Sequence, residues 1–379
     1  MKPVIPFNKP YFTGKETEYI QQGVASGHIS GDGMYTRKCH EFFEKKYGFK
    51  KCLLTTSCTD AIEMAAILMD IGEGDEVIVP GFTFVSTANA FVLRGAKIVF
   101  ADSMDHHPNI NADAIEPLIT SRTKAIVPVH YAGMACDMDK IIAIAKKHNL
   151  FVVEDAAQAV DSFYRDKPLG GIGHFGTFSF HETKNIMSGE GGMLVINDER
   201  FIKRAEIIRE KGTNRSAFFR NEVDKYNWVD IGSSFLPSDI VAAILYAQLE
   251  KIEFIQSNRK KAWEVYYENL KPLEEKGYFS LPEIPSYSSN NAHIFYLVCN
   301  NENEKNDLID HLKANGVHAV FHYQSLHKSP FYSSKSKSTE LPHCERFSKT
   351  LVRLPLFVEI TAEMVKTVCD EITAFYEKK

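Results

Sequence analysis

An α/β fold with a large, mostly parallel sheet flanked by helices, and a smaller C-terminal α+β unit, is predicted by three observations. The chain has 379 residues, short β-branched runs alternate with helical patterns from about residue 50, and a long helical stretch lies near residue 250. That length exceeds what one hydrophobic core serves, so two domains of unequal size with a ligand cleft between them are expected.

The alternation begins with KCLL, a strand, then TDAIEMAAILMDI, a helix, then EVIVP, STANAFVLRG and KIVFAD. It continues through KAIVPVH, the helical MDKIIAIAKKHN and FVVEDA, and FGTFSF and MLVIN read as further strands of the same sheet. From Ser238 to Leu270 no Pro or Gly interrupts SDIVAAILYAQLEKIEFIQSNRKKAWEVYYENL, which predicts one long helix bridging two lobes. The boundary is placed along it, giving domains 1–245 and 246–379. Beyond it HIFYLVC, a helix over NDLIDHLKAN, VHAVFHY and a closing helix TAEMVKTVCDEITAFYEK make the smaller unit. SSKSKSTE is the one low-complexity stretch, and no internal repeat is evident.

Composition narrows the function classes. Hydrophobic residues are 44% and charged residues 25%, and a net charge of −5 gives no broad basic footprint, so a nucleic-acid partner is not expected. MKPVIPFNKPYF lacks the apolar run of a signal peptide and no later run has the length of a membrane span, which predicts a cytoplasmic protein. Seven cysteines without a CxxC pair suit free thiols in a reducing compartment. The fourteen histidines show no HExxH or similar spacing, and His106-His107 sits in the polar DSMDHHPNIN, so no metal site is expected.

Three constellations carry chemistry. In TTSCTDAIEMA a strand ends in small hydroxyl residues just before a helix, where exposed N–H groups can cradle a phosphate; from the segment alone an ordinary N-cap by Ser57 or Thr59 is the favoured reading. FVVEDAAQ puts Asp155 at the C-terminal end of a buried strand, where open α/β sheets bind ligands. A carboxylate there needs a cation, either a protonated heteroaromatic nitrogen or an Arg or Lys from elsewhere. FGTFSFHETKNIMSGEGGMLVI runs from a strand into a turn carrying Lys184, which is either a solvated surface charge or a desolvated amine suited to Schiff-base chemistry. Jointly the three supply what pyridoxal 5'-phosphate (PLP) needs: an anchor for its phosphate, a carboxylate for its ring nitrogen and a lysine for its aldehyde.

Through TSCT, PGFTFVSTANAFVLRGAKIVF, VPVHYAG, KKHNLFVVEDAAQ, FSFHETKN, IREKGTNR and RLPLF the sequence resembles the DegT/DnrJ/EryC1/StrS sugar aminotransferases over essentially its whole length. The quoted runs are most similar to the branch that makes dTDP-4-amino-4,6-dideoxygalactose for enterobacterial common antigen. The resemblance implies the type I PLP aminotransferase fold, with Lys184 forming the Schiff base, Asp155 on the pyridinium and Gln158 on the phenolic oxygen. It further implies that the backbone at Ser57 and Cys58, with the Ser179 hydroxyl, holds the phosphate, and that Phe84 stacks on the ring unless it is a core aromatic. Cys58 is expected to be a spacer, not a nucleophile.

For the sugar the resemblance points to His181, His322 and Tyr323, with Lys225 reaching in from a second subunit; a structural or surface role for each stays open. It implies a homodimer with active sites at the subunit interface. It also implies a ping-pong exchange in which L-glutamate gives up its amine, leaving 2-oxoglutarate, and dTDP-4-keto-6-deoxy-D-glucose receives it. Lys184 would move the proton. The galacto product is favoured; the gluco epimer, a 3-keto sugar or another nucleotide stays open. A PLP-dependent sugar dehydratase or a silent sugar-binding relative is disfavoured by Lys184 itself. One departure stands out: GSSFLPSD carries Ser234 and Leu236 where many members carry the Asn and Arg of a GxNxR pattern.

Overall fold

The β-branched runs become strands of a seven-stranded sheet in the computed structural model, which describes residues 4–334 and 339–377. These strands are β1 (Lys51–Thr55), β2 (Glu76–Pro80), β3 (Lys97–Ala101), β4 (Thr123–Ile126) and β5 (Phe151–Asp155), followed, after a short hairpin of β6 (Phe163–Tyr164) and β7 (Lys167–Pro168), by β8 (Phe175–Ser179) and β9 (Gly192–Ile196). Their order is β1-β9-β8-β5-β4-β2-β3. Strands β3, β2, β4, β5 and β8 pair in parallel, whereas β9 is antiparallel to both β8 and β1. The C-terminal ends of β1, β5 and β8 therefore share one edge with the start of β9. Register fixes Thr55, Gly192 and Ser179 in a transverse row, Thr55 opposite Gly192 and Gly192 opposite Ser179, and sets Asp155 on the next strand opposite Thr177, two residues before Ser179.

Side-chain alternation along the strands feeds two apolar layers, as expected for a sheet covered on both faces. Leu54, Ile78, Ile126, Val152, Phe178 and Val195 join one core, and Leu53, Val77, Ala125, Val153, Phe175 and Leu194 join the other. Helices α1 (Glu16–Ala25), α2 (Met34–Tyr47) and α5 (Met138–His148) cover the first face, with α3 (Cys58–Leu68), α4 (Val85–Val92) and α6 (Ile202–Arg209) on the second. Sequence reading from residue 50 onward left α1 and α2 unassigned. The buried stripe of α2, Tyr35, Cys39 and Phe43, has helical spacing, and its end is marked by Gly48 in the left-handed region at φ 70°.

Behind the short α7 (Arg215–Phe219), the expected single helix 238–270 is two helices, α8 (Asp239–Leu249) and α9 (Ile252–Glu275). The break lies at Glu250–Lys251. The Lys251 amide bonds Gln248 O, three residues back, and Lys251 leaves the helical basin at φ −112° and ψ 14°, while Glu250 is held by Tyr19 Oη at 2.5 Å and by Lys15 at 3.6 Å. Helix α9 also runs past Leu270 and accommodates Pro272. At its far end α8 caps another helix: Asp239 accepts from the Tyr35 and Thr36 amides at 3.2 and 2.8 Å and from Thr36 Oγ1 at 2.8 Å. The α2 terminus has no side-chain cap of its own.

The smaller unit is a four-stranded antiparallel sheet in the order β10-β11-β13-β12: β10 (Phe279–Ser280), β11 (Tyr296–Cys299), β12 (Val320–Phe321) and β13 (Leu351–Arg353). Helices α10 (Glu302–Ala314), α11 (Pro330–Ser333), α12 (Pro342–Thr350) and α13 (Ala362–Glu377) accompany it, and a third core joins α9, α10 and α13 to the sheet. Ile5 packs in that core and bridges to Val317, so the described segment around Ile5 sits with the C-terminal unit. Residues 335–338 of SSKSKSTE lie outside the described residues. No described helix is long and apolar enough to cross a membrane, no disulfide joins the described cysteines, and no group of three or more His, Cys, Asp or Glu among the described residues is arranged to hold a metal ion.

Candidate active site

The transverse row opens into a cavity of about 460 Å³ between the two units. Ser57, Cys58, Phe84, Asp155, Gln158, Ser179, His181, Lys184, His322 and Tyr323, all singled out in the sequence, line it. Lys225 does not. It lies exposed between α7 and α8, a segment whose Tyr226, Trp228, Val229 and Ile231 are also exposed, as is Phe219 at the end of α7.

The α3 terminus supplies one wall. Ser57 is its N-cap, accepting from the Asp60 amide at 3.1 Å, so the ordinary cap is present. The amides of Ser57, Cys58 and Thr59 nonetheless have no acceptor among the described residues. A helix start with open N–H groups favours an anion. Gly192 allows this wall to approach β9: a Cβ there would lie 2.2 Å from Ser57 C and 2.3 Å from Cys58 N. Ser179, buried at the end of β8, turns its hydroxyl to the same end.

Asp155 is 5% exposed at the tip of β5. Thr87 Oγ1 donates to its Oδ2 at 2.7 Å and the Ala157 amide to its Oδ1 at 3.1 Å; Thr87 is in turn 2.9 Å from Thr83 Oγ1. No Lys, Arg or His among the described residues makes an ion pair with it, so the alternative of a protein salt bridge falls away. Buried and held only by neutral donors, this carboxylate is a site for a cation.

Lys184 sits on the excursion between β8 and β9, its amide bonded to His181 O at 2.9 Å. Burial lowers its pKa from 10.5 to about 8, and Arg353 pushes the same way; Cys58 and Asp155 oppose the shift. A lysine so placed is a competent amine nucleophile and proton carrier, not the solvated surface charge. Burial, reinforced by Asp155, raises the Cys58 thiol far above its usual range, which makes it inert as a nucleophile.

Gln158 is held by its neighbours, its Oε1 accepting from the Ala132 amide at 2.6 Å and its Nε2 donating to Tyr323 Oη at 3.1 Å. Phe84 is 54% exposed at the cavity with its ring 6.0 Å from that of Tyr323, so it is no core aromatic. His322 Nδ1 lies 2.9 Å from Tyr131 Oη. Burial first, then Arg353 and Lys184, drive His322 well below the usual histidine range and keep it neutral. His181 stands at the rim, 3.0 Å from Thr183 Oγ1 and 3.8 Å from Glu190.

Sequence reasoning missed Thr87, His293 and Arg353. Arg353 belongs to the RLPLF run, yet nothing in that run shows that β13 delivers it to this cavity. Ser234 is exposed and bridges to Glu210, and Leu236 packs against Gly31, so the departure from the GxNxR pattern gives a hydrophobic seat within the chain.

Comparison with known proteins agrees with this architecture. GDP-perosamine synthase of Escherichia coli O157:H7 is 33% identical over 379 residues, 99% of each chain. The structure of the putative sugar aminotransferase Spr1654 from Streptococcus pneumoniae in its PMP-form superposes with a TM-score of 0.92 at 25% identity, covering 99% of both chains. Helicobacter pylori PseC, an aminotransferase involved in pseudoaminic acid biosynthesis, gives 0.91 at 25% identity over 99% of this chain and 100% of the other. The fold is that of these aminotransferases. A family model matches residues 10–373, and the chain belongs to the DegT/DnrJ/EryC1/StrS aminotransferase family.

Proposed function

We propose that this protein is a PLP-dependent aminotransferase that moves an amino group from L-glutamate to a nucleotide-linked ketosugar, dTDP-4-keto-6-deoxy-D-glucose, giving the 4-amino-4,6-dideoxyhexose in the galacto configuration. The observation that carries the reading is the buried Asp155 carboxylate, without a protein cation, sharing one cavity with a lysine of lowered pKa and a row of open helix amides.

PLP supplies an electrophilic aldehyde and an electron-withdrawing ring when bound. The Ser57 and Cys58 amides and the Ser179 hydroxyl would hold its phosphate, Asp155 its protonated ring nitrogen, Gln158 Nε2 its phenolic oxygen, and Phe84 would cover the ring. Lys184 Nζ would hold the aldehyde group and, when free, carry the proton taken from the donor's Cα; its lowered pKa suits both taking and returning it. With the sugar the same amine works in reverse. His181, His322 and Tyr323 contact the hexose. The exposed aromatic segment carrying Lys225 docks on a second copy and completes that copy's site, in a cytoplasmic homodimer. The domain boundary is set at 245/246, in α8. A second reading, a guanosine-diphosphate-linked acceptor, is favoured by the relative named GDP-perosamine synthase.

The test is an absorbance spectrum of the PLP-reconstituted protein. The visible band of lysine-bound cofactor should vanish with L-glutamate and return with dTDP-4-keto-6-deoxyglucose. Return only with a GDP-linked 4-ketosugar supports the second reading, and no band after PLP addition refutes both.

A further inference from the structure

Two complementary groups share the cavity without a bond between them. The Lys184 amine has no hydrogen-bond or ion-pair partner among the described residues, and neither has Nε2 of His293, whose ring lines the same cavity. Unlike Nε2 of His107, that atom is not sealed from its surroundings.

A chain of amides decides which ring nitrogen of His293 carries the proton. Its Nδ1 lies 2.8 Å from Oδ1 of Asn185, the residue after Lys184. The other end of the Asn185 amide is fixed, because Nδ2 donates to Asn291 O at 2.8 Å and a main-chain carbonyl can only accept. Nδ2 also donates to Gln256 Oε1 at 2.8 Å, and Gln256 Nε2 donates onward to another carbonyl, Val160 O, at 3.3 Å. Asn185 therefore turns its oxygen to the imidazole, and the imidazole must donate from Nδ1. Asn185, Gln256 and His293 are all buried, and they come from the excursion between β8 and β9, from α9 and from the approach to β11, so the chain is clamped from both units. Burial first, then the charges of Lys184, Arg259 and Arg353, with His322 as a further neighbour, hold the ring neutral. A neutral ring that donates from Nδ1 keeps a lone pair at Nε2.

We propose that His293 is a positioning residue for Lys184: its Nε2 lone pair receives a hydrogen bond from the Lys184 amine whenever that amine is detached from the cofactor, and Asn185 sets the tautomer that allows it. The proposal rests on the aminotransferase reading. A detached lysine swings on a four-carbon stem, and an acceptor at a fixed point keeps it beside the carbon whose proton it must move. The ring holds the amine without taking its proton, since its own surroundings disfavour a second proton.

The first test is nitrogen-15 NMR of the histidine rings in the full-length protein, with the His293 signals identified by their loss in His293→Gln. Nδ1 should be protonated and Nε2 unprotonated from about pH 6 to about pH 9, and a protonated Nε2 overturns the proposal. The second follows PLP uptake by the cofactor-free protein as growth of the visible band against pH, because only the unprotonated amine reacts. A hydrogen bond accepted from an ammonium stabilises the charged form, so its loss lowers the midpoint. His293→Phe should move the midpoint down by about one pH unit, and His293→Gln, which keeps an acceptor, should restore at least about half of that. Cys58, Asp155 and Arg353, the other groups acting on Lys184, are the same in all three proteins. If His293 only fills space, its replacement admits water, relieves the desolvation of Lys184 and moves the midpoint upward. An upward shift, no shift, or no restoration by glutamine overturns the proposal. A wild type that forms no visible band with PLP refutes the aminotransferase reading itself.

Discussion

Replacing Gly192 by alanine tests whether the site is built by backbone approach. The residue needs no left-handed φ, so alanine meets no backbone penalty, and the whole effect comes from contact. The added Cβ would stand 2.2 Å from Ser57 C, against the 3.4 Å at which ordinary contact begins, so the α3 terminus must retreat by about 1.2 Å (3.4 − 2.2). Both neighbours are main chain, with no flexible side chain to yield. Overpacking of this kind costs about 1–3 kcal/mol of stability. A shift of roughly 1 Å in aligned donors commonly costs about 100-fold in what they hold or orient. PLP should therefore bind roughly 10–100-fold more weakly, measured by fluorescence titration of the apoprotein, while the circular dichroism spectrum stays native. Gly72→Ala, whose Cβ meets nothing within 4 Å, is the control. A Gly192→Ala protein that binds PLP with wild-type affinity would show that the Ser57–Cys58 wall is not the phosphate anchor.

Three further outcomes follow from the same geometry. Asp155→Asn should leave the apoprotein at least as heat-stable as wild type, because an uncompensated buried carboxylate is removed, yet slow the glutamate half-reaction by about 100–1,000-fold; a lower apoprotein melting temperature would argue that the carboxylate is structural. For Lys184 the folded pKa of about 8 lies below the ordinary 10.5, so between these values the unfolded chain binds more protons and folding stability rises with pH. Denaturant midpoints of cofactor-free wild type minus Lys184→Met should accordingly increase from pH 7.5 to 9.5, and a flat difference would contradict the burial of the amine. Asp239→Ala strips the Asp239 side-chain cap from α2 and should cost about 1–3 kcal/mol in urea unfolding, with Asp239→Asn recovering part.

What sequence could reveal was set by how local each cause is. The strands and helices between residues 51 and 197 are written in short-range periodicity, and Asp155 was legible because it ends one of those runs. Lys184 became legible only in combination, since a lone lysine in a turn carries no sign of desolvation. Thr87 could not be found, because its role depends on Asp155, 68 positions away. His293 was hidden for the same reason: the neighbour that sets its tautomer, Asn185, is 108 positions away. The break at Glu250–Lys251 has no Pro or Gly to announce it and depends on Tyr19 and Lys15 from the far end of the chain.

The row Thr55, Gly192 and Ser179, with Asp155 one strand further and two residues back along the register, acts as a ruler. Its graduations are the spacings of hydrogen-bonded strands, about 4.8 Å each, a constant of the peptide backbone that no side-chain substitution alters. The α3 wall and the carboxylate are thus held at a distance that sequence drift leaves untouched. The excursion between Ser179 and Gly192 leaves and re-enters the sheet at paired positions, so its length and composition can change without sliding the graduations. Substrate preference can wander at the rim while the machinery beneath keeps its dimensions.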